Sequence, residues 1–305
     1  MRPSPRTDAL TVLVTGSSSG FGELIVKTLA RDGHRVFATM RGSADRNREA
    51  AVRLEQWAAT NQGRLEVMDL DVQSDQSVAS AVNQALTSAG AIDVLVNNAG
   101  ASAAGPLEAF SLEQMAALLN LNALGPVRVS KAVLPSMRAA GSGLIVWITS
   151  TLGRVLPGRG GLYPATKWAA EGFAESLHHQ VAPFGIDVAI VEPGSFPTPA
   201  TFKSMIADDR DVTAAYAAVA SQTTANRRPP ADPAYRPPDP QEVADAVKQL
   251  IDLPAGRRPL RTVVGPVYTE GVAAYNQTYE EVRAHLEEVL RRPDQAITWT
   301  PATPR

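Results

Sequence analysis

The chain predicts an α/β fold, a single doubly wound parallel sheet of seven strands with helices on both faces. Three features carry that prediction. Short apolar runs alternate with longer stretches of helical pattern, the short runs are rich in Val, Ile and Leu, and a glycine-rich turn follows the first run directly. Strands covered on both faces have no solvated side, so they lack the apolar/polar alternation of a half-exposed sheet. Strand–helix alternation of this kind builds one open sheet, with ligands bound beyond the carboxyl ends of its strands.

The seven predicted strands are Leu10–Val14, Arg35–Thr39, Leu65–Met68, Ile92–Val96, Leu144–Thr149, Asp187–Val191 and Arg261–Val264. Between them fall helical stretches at 21–32, 45–60, 74–89, 111–139, 162–183 and 240–252. Ser111 with Gln114 forms a capping box, and Asp239-Pro240-Gln241-Glu242 sets a cap, a first-turn proline and an acid in order. The alternation breaks from Ser195 to Pro238, a long insertion after the sixth strand that reads as a substrate lid within one domain spanning 1–305. Phe196, Phe202, Met205 and Ile206 are spaced to line one side of it. Beyond Pro266 the chain holds one further helix, Tyr275 to Arg291, and a Pro-rich tail, 292–305, expected to fray.

Composition excludes several classes of function. The 305 residues carry 29 basic and 31 acidic side chains, a formal charge of −2, spread along the chain without a basic footprint for nucleic acid or acidic lipid. With no cysteine, disulfides, thiol catalysis and thiolate metal sites are ruled out. The four histidines include no pair at ligand-like helical spacing, so no metal site is expected. No apolar stretch has the length of a signal peptide or a membrane span, which predicts a cytoplasmic protein without a membrane partner.

Two motifs carry chemistry. Thr15-Gly16-Ser17-Ser18-Ser19-Gly20-Phe21-Gly22 links the first strand to a helix. Its glycines permit a tight turn and close approach of backbone to a pyrophosphate, and the helix N-terminus offers unpaired N–H groups to the anion. The spacing is Gly-x3-Gly-x-Gly. The second motif is Tyr163-Pro164-Ala165-Thr166-Lys167, near the start of the 162–183 helix. A four-residue step sets both side chains on one helix face, where an ammonium favours phenolate and lowers the tyrosine's pKa, as a general acid/base requires. Thirteen residues upstream, Ser150 stands just past a strand at the ligand edge. Its hydroxyl can bond the same substrate oxygen. Thr149 and Thr151 flank it, and the spacing to Tyr163 favours Ser150.

With these residues in place the chain resembles a short-chain dehydrogenase/reductase, in the single-domain, Rossmann-like branch whose glycine motif is Thr-Gly-x3-Gly-x-Gly. Asn97-Asn98-Ala99-Gly100 resembles the family's run that holds the sheet and borders the cofactor. Asn122-Ala123-Leu124-Gly125 resembles the helix segment whose Asn organises a proton-relay water; Asn120 has the wrong offset to Gly125. Leu70-Asp71-Val72 resembles the adenine-side segment, although Asp71 can equally cap the following turn. Pro193-Gly194-Ser195-Phe196-Pro197-Thr198 resembles the nicotinamide carboxamide segment, with Thr198 as its hydroxyl. The resemblance spans about residues 8–265.

It implies an alcohol–carbonyl oxidoreductase. Tyr163 would exchange the proton, Ser150 would orient the oxygen, Lys167 would depress the tyrosine pKa and hold the nicotinamide ribose, and Asn122 would serve the relay. Gly16, Ser17, Ser18, Gly20, Phe21, Gly22, Asp71, Val72, Asn98, Ala99, Gly100, Pro193, Gly194 and Thr198 would bind the cofactor along with Tyr163 and Lys167. Enzymes preferring NAD place an acid at the end of the second strand. Here that position is Met40, and Arg41 follows with a fork of donors suited to a 2′-phosphate, so NADP(H) is the expected cofactor. An NAD-preferring dehydrogenase is the alternative within the family. An epimerase of the extended branch would need Gly-x2-Gly-x2-Gly, and a dinucleotide-sensing regulator would typically lack the Tyr/Lys/Ser set. Phe37-Ala38-Thr39-Met40-Arg41 and Gly153-Arg154 resemble hydroxysteroid and retinol dehydrogenases, implying an apolar alcohol or carbonyl substrate. Pairing of the Ala- and Leu-rich helices 111–139 and 162–183 implies a homodimer or homotetramer.

Overall fold

The computed structural model describes residues 9–156, 161–198, 204–217, 237–266 and 269–290. Its main sheet holds seven parallel strands: β1 (Thr11–Val14), β2 (Arg35–Met40), β3 (Leu65–Asp69), β4 (Val94–Asn97), β6 (Gly143–Ile148), β7 (Ile186–Pro193) and β9 (Arg261–Val264). Their order across the sheet is β3-β2-β1-β4-β6-β7-β9, all parallel. The chain builds outward from β1 in one direction and, after β3, crosses back to β4 on the other side of β1. The helices after β1 and β4 therefore leave on opposite faces, and the crevice between those strand ends is where such sheets take a ligand.

The lack of alternation in the strands has a direct structural cause. In β1, Val12 and Val14 enter one core with Ile25, Leu29, Val243 and Val247, while Leu13 enters a second core with Leu95, Trp147, Val129 and Ala174. The first core lies under α1 (Gly20–Arg31), α2 (Arg48–Asn61) and α8 (Gln241–Asp252); the second lies under α3 (Asp75–Ala89), α5 (Gly125–Ala140) and α6 (Leu162–Val181). Both sets of residues must be apolar because both faces are dry.

One predicted helix is divided. The 111–139 stretch folds as α4 (Leu112–Leu119), a wide π-type turn over Asn120–Leu124, and α5. Gly125 N–H reaches back to the Asn120 carbonyl, five residues away. Pro126 follows at the start of α5 and has no N–H for the carbonyl of Asn122, so the regular ladder is interrupted there. The start of α4 keeps its predicted capping box between Ser111 and Gln114.

The C-terminal helix α9 runs Thr269–Leu290, six residues longer at its start than predicted. A two-stranded sheet, β5 (Ala103–Ala104) paired with β8 (Met205–Ile206), and the short helix α7 (Arg210–Ala215) were not predicted, since two-residue strands carry no periodicity. Met205 packs with Phe110 and Leu162 in a third small cluster, Phe196 enters the first core, and Ile206 faces solvent. These three side chains do not form one wall. Phe202, most of the 195–238 insertion and the 292–305 tail lie outside the described residues.

Leu95 sits in the central strand β4 with no exposed surface. Leu95→Ala is expected to cost about 2–5 kcal/mol in chemical denaturation; a loss well below 1 kcal/mol would show that the second core does not support the sheet.

Candidate active site

The glycine turn is fastened to the end of β4. Thr15 Oγ1 accepts the N–H groups of Asn98 and Ala99, both at 3.0 Å, and the Asn98 carboxamide donates to the carbonyls of Thr15 and Gly16 at 2.9 and 3.1 Å. Gly16 takes a left-handed φ of +72°, and a Cβ there would stand 2.7 Å from the Ala99 Cα. Gly22 faces the Gly16 carbonyl so closely that a Cβ would land on its oxygen. Ser19 makes no side-chain cap on α1, so the first N–H groups of that helix are left for another acceptor. Backbone approach, glycine cradle and uncapped helix start all fit a pyrophosphate.

The other predicted cofactor residues fall around this turn. Ser17 is fully buried and its hydroxyl donates to the Val14 carbonyl at 3.1 Å, which spends its proton inside the turn, while Ser18 and Ser19 are half-buried. Arg53 of α2, missed in the sequence, reaches the Ser18 carbonyl at 3.4 Å and adds a cation beside the turn. Its helical setting offered no signal for that approach. Met40 is 2% exposed and packs in the first core, whereas Arg41 is exposed. Asp71 accepts the Gln73 N–H at 2.9 Å and so caps its own turn, and Val72 packs on Gly125. Phe21 meets Phe196 edge-on at 5.5 Å, joining the first turn of α1 to the Pro193–Thr198 segment, where Thr198 is buried.

Across the crevice stand the residues expected to do the chemistry. Ser150 follows β6 and lies close enough to the Tyr163 phenol for its hydroxyl to favour the phenolate. Its Oγ also accepts the Leu152 N–H at 3.2 Å, which holds the hydroxyl in place. Lys167 Nζ donates to the Ile148 carbonyl at 3.0 Å and lies 5.7 Å from the Tyr163 ring centroid. Asn122 occupies the π-turn. It exchanges hydrogen bonds with the backbone of Ala101 at 2.9 Å in both directions and donates to Thr166 Oγ1 at 2.9 Å. Thr166 in turn donates to the Tyr163 carbonyl at 2.7 Å. Its part was not read from the sequence, where it was only a spacer between Tyr163 and Lys167. Asn120 turns away to bond Arg128 at 3.2 Å.

Electrostatics departs from the sequence expectation in one respect. Burial pushes the Tyr163 phenol up to about 12, only partly offset by the Ser150 hydrogen bond. Burial also pulls Lys167 down to about 8, against the nearby Glu171 carboxylate, which holds it up. The low-dielectric site penalises both charges, so the lysine does not carry the phenol below its ordinary value. At neutral pH Tyr163 keeps its proton and can donate it.

The comparisons with known proteins give the chain its family. Residues 10–208 match the family described as short chain dehydrogenase. The chain belongs to that family. It is 36% identical to retinol dehydrogenase 8 of Bos taurus over 90% of this chain and 86% of that one. It is 38% identical to 3-ketodihydrosphingosine reductase of Bacteroides thetaiotaomicron over 61% of this chain, an alignment spanning 64% of the reductase's own length. Among solved structures, a short-chain dehydrogenase from Streptomyces avermitilis superposes with a TM-score of 0.70 at 32% identity, covering 92% of this chain and 96% of that one. An alcohol dehydrogenase from Thermococcus sibiricus, complexed with 5-hydroxy-NADP, gives 0.68 at 26% identity over 86% and 98%. This short-chain dehydrogenase is thus an oxidoreductase acting on the CH–OH/C=O pair.

Gly22→Ala would drive a methyl group into the Gly16 carbonyl. It should lower the melting temperature and weaken binding of a reduced nicotinamide dinucleotide, read by nucleotide fluorescence, by more than about tenfold. Wild-type affinity in a folded variant would contradict the cradle.

Proposed function

We propose that the protein is an NADP(H)-dependent oxidoreductase interconverting a bulky apolar alcohol and its ketone or aldehyde, with Tyr163 as general acid/base. The observation that carries this reading is that the Ser150 hydroxyl, the Tyr163 phenol and the Lys167 ammonium come together at the carboxyl edge of the sheet. When bound, the dinucleotide supplies or takes the hydride at the substrate carbon. The chain's own residues handle the oxygen. Ser150 donates to it and holds it near the phenol, and Tyr163 gives up its proton as negative charge grows there. Lys167 sits one helical turn along, placed to bond the nicotinamide ribose and to favour the phenolate left behind. Asn122, bonded to Ala101 and Thr166, fixes the neighbouring backbone.

Gly16, Gly20, Phe21 and Gly22 would hold the pyrophosphate, with Asp71, Val72 and Asn98–Gly100 around the adenosine and ribose, and Pro193, Gly194 and Thr198 at the nicotinamide. Arg41, exposed at the end of β2 with no carboxylate at position 40, supports a 2′-phosphate. The Thermococcus relative bound to 5-hydroxy-NADP and an actinorhodin ketoreductase solved with NADPH, 29% identical with a TM-score of 0.69, support the same cofactor.

For the substrate, a cavity of about 390 Å³ lies against the turn that follows Ser150 in the chain, lined by Thr151, Leu152 and Val155 and by Pro266, Glu270 and Val272. That lining suits an apolar molecule, as do the names of the retinol and 3-ketodihydrosphingosine relatives. The 195–238 insertion, whose Met205–Ile206 strand pairs with β5, would serve as a substrate lid. Exposed Leu112, Leu124 and Trp168 on α4, the π-turn and α6 support pairing with a second copy, as a homodimer or homotetramer. Among the described residues no helix is long and apolar enough to cross a membrane.

Two experiments test the reading. With all-trans-retinal or a 17-ketosteroid as probe, Tyr163→Phe should lose at least about two powers of ten in kcat while NADPH affinity stays near wild type; wild-type turnover would remove Tyr163 from the mechanism. Arg41→Ala should weaken NADPH by at least about tenfold and leave NADH unchanged. Met40 is better left alone, since an acid there would enter the apolar core. A preference for NADH in the unmodified protein would overturn the cofactor assignment alone.

A further inference from the structure

Tyr163, Lys167, Glu171 and Glu175 follow one another at four-residue steps along α6, so the catalytic face of the helix continues into two acids. Glu171 is almost wholly buried, 2% exposed, in the middle of that stripe. A buried carboxylate needs partners, and those of Glu171 are unusually placed. One oxygen lies 2.6 Å from the Thr149 hydroxyl, which donates to it. The other accepts from Arg261 of β9 at 3.1 Å. Its Cγ meanwhile packs on Gly153, where an added Cβ would come within 3.1 Å of it and 3.2 Å of the Lys167 carbonyl. Thr149 and Gly153 bracket Ser150 along the chain. The short segment that carries the serine is thus pinned, on both sides, to a residue of the helix that carries Tyr163 and Lys167.

From these contacts we infer that Glu171 is a positioning residue for the reaction, fixing the Ser150 segment against the Tyr163–Lys167 face, with Arg261 holding it in place. This rests on the reading of Ser150, Tyr163 and Lys167 given above. Residues facing Glu171 come from every element around it: Thr149 at the end of β6, Lys167 on its own helix, Glu192 of β7, Arg261 of β9, and Arg154 after the Ser150 turn. Arg261 lies 3.5 Å from Glu192, 2.7 Å from Glu175 and 3.5 Å from Glu280 of α9, so with Glu171 one guanidinium serves four acids. Burial and the neighbouring Glu171 push Glu192 up to about 8.

The C-terminal helix closes the cluster. Asn276 of α9 donates to Glu192 at 2.6 Å and accepts from Arg154 at 2.8 Å, and it is itself buried. The helix beyond β9 therefore acts as a cap that keeps water from the charges behind the catalytic serine. Glu171 also touches the chemistry electrostatically, because its charge favours the charged form of Lys167. Neutralising it should move the ionisation of Lys167 to lower pH.

The test uses the full chain with NADPH and the same carbonyl probes. Glu171→Gln keeps an acceptor for Thr149 and removes the charge, and Thr149→Val breaks the tie from the other end should the first variant fold poorly. In both, kcat should fall by about tenfold or more, since misplacement of about 1 Å can cost 10²-fold. NADPH affinity should stay within about threefold. In Glu171→Gln alone, the alkaline limb of the kcat profile should shift to lower pH, an effect that a purely structural contact would not produce. Hydrogen exchange of peptides spanning 149–154 gives a readout independent of turnover, and should quicken about tenfold in Thr149→Val. Faster exchange with unchanged kcat and pH limb overturns the positioning role, and so does unchanged exchange in Thr149→Val. The two failures are separable. Turnover surviving in Tyr163→Phe removes the reading of the site, whereas an inactive Tyr163→Phe beside a fully active Glu171→Gln removes the inference alone.

Discussion

The junction between the ends of β1 and β4 is the constraint on which the site depends. Thr15 and Asn98 bind each other's backbone so completely that the glycine turn and the strand beside it form one rigid piece. From that piece a continuous path runs through Ala101 to Asn122, on to Thr166, and then to the carbonyl of Tyr163. The glycine turn and the first turn of α6 are thus separated by a few hydrogen bonds, although they are some 150 residues apart in sequence. Placement at the sub-ångström level, which hydride and proton transfer demand, is available from such a path and not from loops alone.

Burial then decides the chemistry within this frame. A lysine and a phenol brought together in water would settle mainly by their mutual attraction. Enclosed as they are here, each is governed first by loss of solvent, and the protein supplies the remaining adjustments through Ser150 on one and Glu171 on the other. The same logic explains why the neighbouring acids sit around a shared arginine. Each charge removed from water must find its partner locally, and α9 completes the enclosure.

Much of this was legible in the sequence because it rests on short-range rules. All seven strands of the main sheet showed as runs of branched apolar residues, and Ser111, Gln114 and Asp239 marked their helix starts as capping chemistry requires. Ser150, Tyr163 and Lys167, read together from their spacing along strand end and helix, are brought together by the fold. What escaped detection depends on contacts distant in the chain. Ser17 was read as a cofactor-binding residue, but its hydroxyl is claimed by the carbonyl of Val14, three residues earlier. Met40 marked a missing acid, yet its own side chain belongs to the core. Arg53, Thr166 and the two-residue strands β5 and β8 show no pattern of their own, since their meaning comes only from what folds against them.

The wide turn at Asn120–Leu124 has a consequence for anyone redesigning the protein. A regular α-helix advances about 100° per residue, so the extra residue accommodated there resets the rotational phase between α4 and α5. Deleting one residue to make a straight, ideal helix would look like a stabilising regularisation. It would also swing either Asn122 or the buried face of α5, with Val129 and Val133, away from its partners. The irregularity is what lets a single continuous rod satisfy two masters, an apolar core on one stretch and a polar hinge point on the other. Sequence alignments that slide a gap across this segment would assign the wrong asparagine to the site.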